Sequence, residues 1–182
     1  MGAIRDHEPV LPILALFSRD EPAIEWGIAT AAAVWGDVLL RGEPFPFDDT
    51  EYYAPTMGTG LRKVLVAFER LFDPAELPQR KHQANAWESA YAEAHSRDVE
   101  RPLNLDPGYL TLAKFVLATT KDRQHRLYLG QGIFAECTLY YHRGAWRDWP
   151  WTYPDYRRKE YHAFFEEARS KYRELRNSQG RV

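Results

Sequence analysis

The spacing of hydrophobic residues changes several times along the chain, and each change predicts a different element. Short apolar runs predict buried strands, alternation predicts half-buried strands, and apolar residues at every third or fourth position predict helices. In the first half this pattern predicts strand, helix, strand, strand and helix. The predicted elements are a buried first strand at 10–18, a helix over 20–35, an edge strand at 38–47, a loop at 48–60, a strand at 61–72 and a helix from about 79 to 95.

The second half predicts a connection, three strands and a closing helix. Asp106, Pro107 and Gly108 follow one another in a sequence typical of a turn, so 101–110 is predicted to be a turn-rich connection. The remaining elements are predicted as strands at 111–120, 125–129 and 133–141, an irregular segment at 149–156 and a last helix from about 155 to 176.

The order of these elements predicts an α+β fold in a single domain. It runs βαββα, a connection, a βββ meander and a C-terminal helix, which is typical of a largely antiparallel sheet with helices against one face. The opening half is compatible with a ferredoxin-like arrangement. We predict one domain over 1–182, with an ordered core of about 10–176 and tails at 1–9 and 177–182.

Two short loops set the predicted register of the three late strands. If "GQG" (130–132) is a hairpin loop, Arg126 lies opposite Glu136, and Tyr128 lies opposite Phe134. If "KDRQ" (121–124) is the loop of the preceding hairpin, the residue opposite Arg126 is Thr119.

Alternation along these strands assigns two faces, because every second side chain of a strand points the same way. The apolar face, predicted to be buried, comprises Val116, Ala118, Leu127, Leu129, Ile133, Ala135, Cys137 and Leu139. The polar and aromatic face comprises Thr119, Arg126, Tyr128, Phe134, Glu136, Thr138 and Tyr140. Glu136 and Leu139 are therefore predicted to lie on opposite faces of the sheet.

Composition and charge narrow the class of protein. The 182 residues include 45% hydrophobic and 14% aromatic residues, and the net charge is −2. A chain so close to neutrality has no global attraction for nucleic acid or anionic lipid. Cys137 is the single cysteine, which excludes an internal disulfide. The apolar run near the N-terminus is interrupted and short, so we expect a soluble cytoplasmic protein without a membrane partner.

Charged residues interrupt the largely apolar stretch 117–141. Lys121 and Arg126 suit anion binding, Glu136 suits general acid–base chemistry, and His125 suits the role of its partner. Taken singly, each has a simpler structural explanation, such as a cross-strand ion pair between Arg126 and Glu136. Their combination with flanking aromatic residues makes this face a candidate site.

Further polar residues lie in the helix before the connection and in the connection itself. Lys81, Asn85 and Glu88 share one helical face, a pattern that usually indicates a solvated surface. Asp106 is either a turn residue or a catalytic carboxylate or metal ligand. The segment "WTYPDY" (151–156) resembles a helix entry, and its aromatic residues either wall a pocket or pack on the sheet.

No short motif identifies a reaction. The stretch "MGTGLRK" (57–63) lacks the phosphate-loop pattern and precedes a predicted strand rather than a helix. With one cysteine and no H-E-x-x-H motif, the common zinc patterns are missing too. A nucleophile elbow is also missing, although this does not exclude a serine–histidine–aspartate triad.

Longer motifs resemble one known family. The segments "FDDTEYYAPTMG", K-x-x-x-N-x-x-E (81–88), R-x-x-NLDPGY, "ATTKDRQHRLYL", "GIFAECTL" and "WTYPDY" together resemble an uncharacterised bacterial family, domain of unknown function 4416. The resemblance extends from about Leu14 to Tyr172. Some members carry a GTP-binding label, but this chain has neither a phosphate loop nor an Asn-Lys-x-Asp motif. The resemblance implies one composite polar site that contains Tyr52, Tyr53, Lys81, Asn85, Glu88, Arg101, Asn104, Asp106, Lys121, His125, Arg126, Glu136, Thr138, Trp151, Thr152, Asp155 and Tyr156.

These observations lead us to expect an enzyme, or an enzyme-like binder, of an anionic, phosphorylated small molecule or a nucleotide. The candidate catalytic residues are Asp106, His125 and Glu136, and Asp106 with Glu136 is the candidate site for a divalent metal. The candidate ligand-binding residues are Lys81, Asn85, Arg101, Lys121, Arg126, Tyr52, Tyr53, Trp151, Tyr153 and Asp155.

Two alternatives remain open at this point. One is a non-catalytic module that binds RNA or a protein through its aromatic sheet face, although near-neutral charge disfavours tight RNA binding. The other is a structural protein whose charges form internal salt bridges. A cleft that encloses Lys121, Arg126, Asp106 and Glu136 would favour the small-molecule hypothesis, whereas a flat, open sheet would favour the RNA or protein module.

Overall fold

The computed structural model describes residues 2–48, 50–95 and 98–179, with side chains as far as residue 178. Within these residues an antiparallel nine-stranded sheet is combined with four α-helices, which confirms the α+β prediction. The elements are β1 (Leu11–Ser18), α1 (Glu21–Trp35), β2 (Val38–Arg41), β3 (Phe45–Pro46), α2 (Ala54–Met57), β4 (Arg62–Phe68), α3 (Leu77–His95), β5 (Asn104–Leu110), β6 (Lys114–Thr119), β7 (Leu127–Gly130), β8 (Ile133–His142), β9 (Ala145–Asp148) and α4 (Lys159–Gln179). None of the described helices is long and apolar enough to cross a membrane.

The strand order is β2-β4-β1-β5-β6-β8-β7, with β3 beside β4 and β9 beside β8. In the first half, α1 connects β1 to β2, and α3 connects β4 to β5, so each helix joins strands separated by one other strand. This is the split β-α-β-β-α-β arrangement expected of a ferredoxin-like unit. The second half of the chain extends the same sheet beyond β5.

β5 is a central strand where the sequence predicts a connection, so the prediction for 101–110 is wrong. Pro107 and Gly108 are typical of turns, but both are accommodated in this strand. Pairing between β5 and β6 begins only at Gly108, so the missing N–H of Pro107 interrupts no bond to β6. A Cβ atom on Gly108 would lie 2.3 Å from the carbonyl oxygen of Val116, so only glycine permits this close approach of β6.

The three late strands do not form a meander. β8 lies between β6 and β7, and Thr119 therefore pairs with Phe134 rather than with Arg126. β8 has ten residues and can pair along both edges, whereas β7 has only four and remains at the sheet edge. The hairpin between β7 and β8 has the predicted register, with Tyr128 opposite Phe134.

A β-bulge changes the faces of β8. Leu117 pairs with Glu136, and Phe115 pairs with Leu139, so β8 uses one more residue than β6 over the same distance. Leu117 and Phe115 share a face because they are two residues apart, and their partners Glu136 and Leu139 therefore share it as well. The prediction of opposite faces for Glu136 and Leu139 is wrong because the extra residue resets the alternation.

The burial of a side chain depends on the position of its strand in the sheet as well as on the face to which it points. Ile133 and Leu139 are buried as predicted, and Cys137 is half-buried. Leu127 and Leu129 were also expected in the core, but they are 75% and 42% exposed. They lie on the edge strand β7, so only one neighbouring strand contributes to their burial.

Helices cover both faces of the sheet, rather than the single face expected. Leu14, Leu16, Val64 and Val66 pack with α1 and with residues of α3. The opposite face packs Ile13, Leu65, Phe115 and Leu139 against Tyr161, Phe165 and Tyr172 of α4. α4 covers the part of that face that holds these apolar residues. The remaining part carries polar residues and forms the floor of a cleft.

Candidate functional site

The cleft has a volume of about 510 Å³. Its floor is the polar end of the sheet face whose other end is packed by α4. Its walls come from α3, from the loop that includes Tyr52 and Tyr53, from residues 119–123 after β6, and from residues 153–156 before α4. The cleft therefore joins segments that are far apart in sequence.

One wall is fixed at Leu105, where β5 is not yet paired with β6. Lys81 Nζ donates a hydrogen bond to the Leu105 carbonyl at 2.9 Å, and Glu88 Oε1 accepts one from the Leu105 N–H at 2.7 Å. Two side chains of α3 thus replace a neighbouring strand at this point. A buried backbone group without such partners would be costly, which gives Lys81 and Glu88 a structural role.

Asp106 belongs to the same network. Its Oδ1 accepts from Lys81 at 2.9 Å and its Oδ2 accepts from Asn104 at 2.8 Å. Asn104 in turn accepts from Arg101 at 2.7 Å, and Arg101 lies 3.4 Å from Glu88. Through Leu105 the network closes into a ring of polar contacts between α3 and β5.

The pKa values of the two carboxyl groups in this ring, Asp106 and Glu88, are shifted in opposite directions. Burial alone would raise the pKa of Asp106, but the charge and hydrogen bond of Lys81, with help from Lys63 and Asn104, hold it below its ordinary value. Burial raises the pKa of Glu88, against the opposing effect of Lys81. Asp106 is therefore the more firmly anionic of the two, and its side chain is 30% exposed toward the cleft.

A second buried cluster centres on Arg126 and Glu136. Arg126 Nε donates to Glu136 Oε2 at 2.8 Å, and its two terminal nitrogens donate to the Lys121 carbonyl and to the Tyr153 hydroxyl. The side chains of Arg126 and Glu136 are 4% and 2% exposed. Burial opposes the charge of Arg126, but the bond to Glu136 raises its pKa overall, so Arg126 keeps its positive charge.

A third ion pair closes the inner end of the cleft. Lys63 Nζ lies 2.6 Å from Asp155 Oδ2, and both side chains are almost fully buried. The ammonium also lies 4.1 Å from the ring centroid of Tyr156 and 4.9 Å from that of Phe47, so aromatic faces complete its surroundings. The Tyr156 hydroxyl is buried without a hydrogen-bond partner among the described residues, and burial raises its pKa.

The rim of the cleft carries exposed cations. Lys121 Nζ donates to the Tyr52 hydroxyl at 2.9 Å and lies 4.2 Å from the centroid of the same ring. That hydrogen bond lowers the pKa of Tyr52. Arg123 is exposed beside Lys121 and has no acidic partner within the described part of the chain. Tyr53 packs inward against Phe17, and burial raises its pKa.

One family model, Domain of unknown function (DUF4416), matches residues 8–172. The chain belongs to the DUF4416 family. No curated protein and no solved structure matches it. The family description assigns no activity, so hypotheses about this DUF4416 domain depend on its cleft.

Most of the candidate catalytic and ligand-binding residues predicted from the sequence line this cleft in the DUF4416 domain. Those that do are Tyr52, Tyr53, Lys81, Asn85, Arg101, Asp106, Lys121, Arg126, Glu136, Tyr153 and Asp155. His125 and Trp151 do not line it. His125 stacks on Trp151 with ring centroids 5.3 Å apart, and its Nε2 lies 3.3 Å from Glu136 Oε2. His125 therefore contacts a cleft residue without facing the cleft itself.

Asp106 and Glu136, the two candidate metal ligands, are each paired with a cationic side chain of the protein. Asp106 is bound by Lys81, and Glu136 is bound by Arg126. Among the described residues there is no group of three or more histidine, cysteine, aspartate or glutamate side chains placed to hold a metal ion. The geometry of these two carboxylates thus favours ion pairing within the protein.

Sequence reasoning missed Lys63, Phe17 and Phe47, which line the inner end of the cleft. One pattern points to Lys63. It alternates with Leu65 and Ala67 on a strand that is otherwise buried, so a lysine in this register has to point toward the core. A buried lysine requires a charged partner, and Asp155 provides it.

Proposed function

We propose that this DUF4416 domain binds an anionic small molecule, such as a sugar phosphate or a nucleotide, in the cleft. The observation that carries the proposal is the balance of charge in the lining. Among the described residues, six cationic and four carboxylate side chains line the cleft. Each carboxylate is paired with one cation, at distances between 2.6 and 3.4 Å. Among the described residues, Lys121 and Arg123 have no acidic partner, and they leave an excess of positive charge in the lining at the rim.

The shape of the cleft supports a small ligand. A volume of about 510 Å³ lies within the range typical of small-molecule sites, which is roughly 300–1,000 Å³. Tyr52, Tyr53, Phe47 and Tyr153 add aromatic surface to the lining, which suits a ligand that also carries a ring or an apolar part. These features favour a compact phosphorylated compound over a free inorganic ion.

If a reaction follows binding, Asp106 is the carboxylate placed to take part. Its side chain is 30% exposed, against 15% for Glu88, 3% for Asp155 and 2% for Glu136. Its lowered pKa keeps it deprotonated near neutral pH, which suits a hydrogen-bond acceptor that orients a substrate and makes it a weak general base. Glu136 and His125, the other candidate catalytic residues, have structural contacts that explain their positions.

The alternative of an RNA-binding module has less support from the geometry. Lys121, Arg126, Asp106 and Glu136 line one cleft rather than a flat, open sheet surface. RNA-binding sheets expose their aromatic residues on an open surface. The net charge of −2 also offers no general attraction for a polyanion.

A thermal-shift screen of phosphorylated compounds tests the proposal. A ligand at 100 times its dissociation constant adds about 2.7 kcal/mol to the free energy of unfolding. In a domain of this size each kcal/mol raises the midpoint by roughly 2–4 °C, so a true ligand gives a shift of several degrees. We expect sugar phosphates or nucleotides to be among the hits.

Variants of the exposed rim give the sharper comparison. Lys121→Ala combined with Arg123→Ala should remove most of the shift and leave the unliganded midpoint nearly unchanged, because both side chains are exposed. Lys171→Ala combined with Arg173→Ala on α4, outside the cleft lining, also removes two positive charges and is the control, which should retain the shift. A screen without hits, or a hit that keeps its full shift in the rim variant, would contradict the proposal.

A further inference from the structure

Asp106 retains unused acceptor capacity that faces the cleft. Each of its oxygens accepts one hydrogen bond from the protein, from Lys81 at 2.9 Å and from Asn104 at 2.8 Å. A carboxylate offers about four lone-pair sites, so roughly two remain free for donors. Because the side chain is 30% exposed, these free sites are accessible from the cleft.

Asn85 offers a second set of unused groups on the same wall. It lies on α3, one turn after Lys81, and its side chain lines the cleft. The side-chain amide makes no hydrogen bond to any described residue, although its backbone carbonyl accepts one from Ser89. An amide presents two donors and one acceptor oxygen, so Asn85 is available to both kinds of ligand group.

These groups differ in chemistry and in location from the cationic rim. Asp106 and Asn85 belong to β5 and α3, whereas Lys121 and Arg123 belong to the segment that follows β6. An anion suits the rim but not the carboxylate of Asp106, which accepts hydrogen bonds and repels negative charge. A ligand that uses both regions therefore needs two chemically distinct parts.

We infer that the ligand carries hydrogen-bond donors, such as the hydroxyls of a phosphorylated sugar or polyol, which bind to Asp106 and Asn85 while its anionic group binds at the rim. This inference rests on the proposed function and narrows its ligand class. An apolar phosphate ester of similar length binds the rim alone. Donor-rich esters are selected over such compounds because the remaining acceptor sites of Asp106 and the amide of Asn85 stay unsatisfied when an alkyl chain fills the cleft.

Three probes separate the two parts of the ligand. They are inorganic phosphate, n-pentyl phosphate, and ribose 5-phosphate, which has the same number of carbon atoms as the pentyl ester but adds donor groups. Isothermal titration of the full chain is expected to give at least tenfold tighter binding of ribose 5-phosphate than of n-pentyl phosphate. Equal affinity for the two esters would overturn the inference and leave the proposed function standing.

Asn85→Ala tests the residues involved with little risk to the fold, because the amide has no hydrogen-bond partner among the described residues and alanine favours helices. The variant should lower the preference for ribose 5-phosphate several-fold and leave the affinity for n-pentyl phosphate unchanged. Gln79→Ala removes an exposed amide from the same helix, outside the cleft, and should change neither affinity. An unchanged preference in Asn85→Ala would overturn the assignment of the donor site. Failure of all three probes to bind wild type would overturn the inference, and a thermal-shift screen without nucleotide or sugar-phosphate hits would reject the proposed function as well.

Discussion

Lys81 Nζ donates to the carbonyl oxygen of Leu105 at 2.9 Å and so takes the place of a neighbouring strand along β5. The same ammonium pairs with Asp106, and the Lys81 side chain is only 7% exposed. Both contacts are possible because an ammonium group carries three donors. A residue that looks like part of a solvated helical face thus connects a helix, a strand and a cleft. Its removal should affect stability before it affects any ligand.

Lys81→Met should cost about 3–5 kcal/mol of unfolding free energy, because it leaves Asp106 without its cation and the Leu105 carbonyl without a donor. Urea denaturation of the two proteins measures this cost. Lys171→Met provides the control, since Lys171 forms only a partly exposed pair with Glu167 at 3.8 Å, and should cost less than about 1 kcal/mol. Equal stability of Lys81→Met and wild type would refute the structural role of Lys81.

The buried pair of Arg126 and Glu136 predicts strong coupling between the two side chains. Arg126→Met or Glu136→Met alone should cost roughly 3–5 kcal/mol, because each leaves an uncompensated buried charge. The double variant should be considerably more stable than the sum of the single losses predicts. A double-mutant cycle by urea melts measures the coupling. Additive losses would mean that the pair contributes no interaction of its own.

Gly108 should not tolerate a side chain, since its Cβ would meet the backbone oxygen of Val116 at 2.3 Å. Gly108→Ala forces β5 and β6 apart and should cost at least about 1–3 kcal/mol. Gly60→Ala is the comparison, because Gly60 has open space around it but a positive φ of 73°, so its cost comes from the backbone alone. Thermal midpoints that fall equally in both variants would contradict the steric explanation.

Acid should destabilise the protein partly through Asp106. Its pKa is lowered in the folded state, so its contribution is fully present above the unfolded value of about 4 and is lost as pH falls through the folded value. Glu88 acts in the opposite sense, because its raised pKa favours the folded state as pH falls. Urea melts between pH 7 and pH 2 should show a weaker acid loss for Asp106→Asn than for wild type. Parallel curves for the two proteins would contradict the assigned shift.

The overall elements could be predicted from hydrophobic period, but their pairing depended on interactions that the local sequence does not show. β1, α1, α3 and α4 follow their apolar patterns closely. β5 was missed because Pro107 and Gly108 have strong local turn preferences, which pairing with β1 and close packing on Val116 outweigh. The bulge in β8 has no local sequence signature, so a strict alternation assigned Leu139 to the wrong face.

The residues of the cleft also differed in how well they could be predicted from the sequence. Motif resemblance brought together residues from α3, β5 and β8, because a shared polar site leaves recognisable residues in each segment. Lys63 was missed because its partner Asp155 lies 92 residues away in sequence, so the local pattern does not show the carboxylate that compensates a buried lysine. His125, the candidate acid–base partner, lies outside the cleft lining, where it stacks on Trp151 and contacts Glu136.

The most direct measurement of the central claim is a titration of isotope-labelled protein with ribose 5-phosphate, followed by amide chemical shifts. Binding in the cleft predicts saturable shifts that cluster in 50–53, 101–106 and 119–126, with no comparable change around β2 or the exposed edge of β7. The same titration of the Lys121→Ala, Arg123→Ala variant should require much more ligand. Saturable shifts centred elsewhere on the surface, or no shifts at millimolar ligand, would contradict the account.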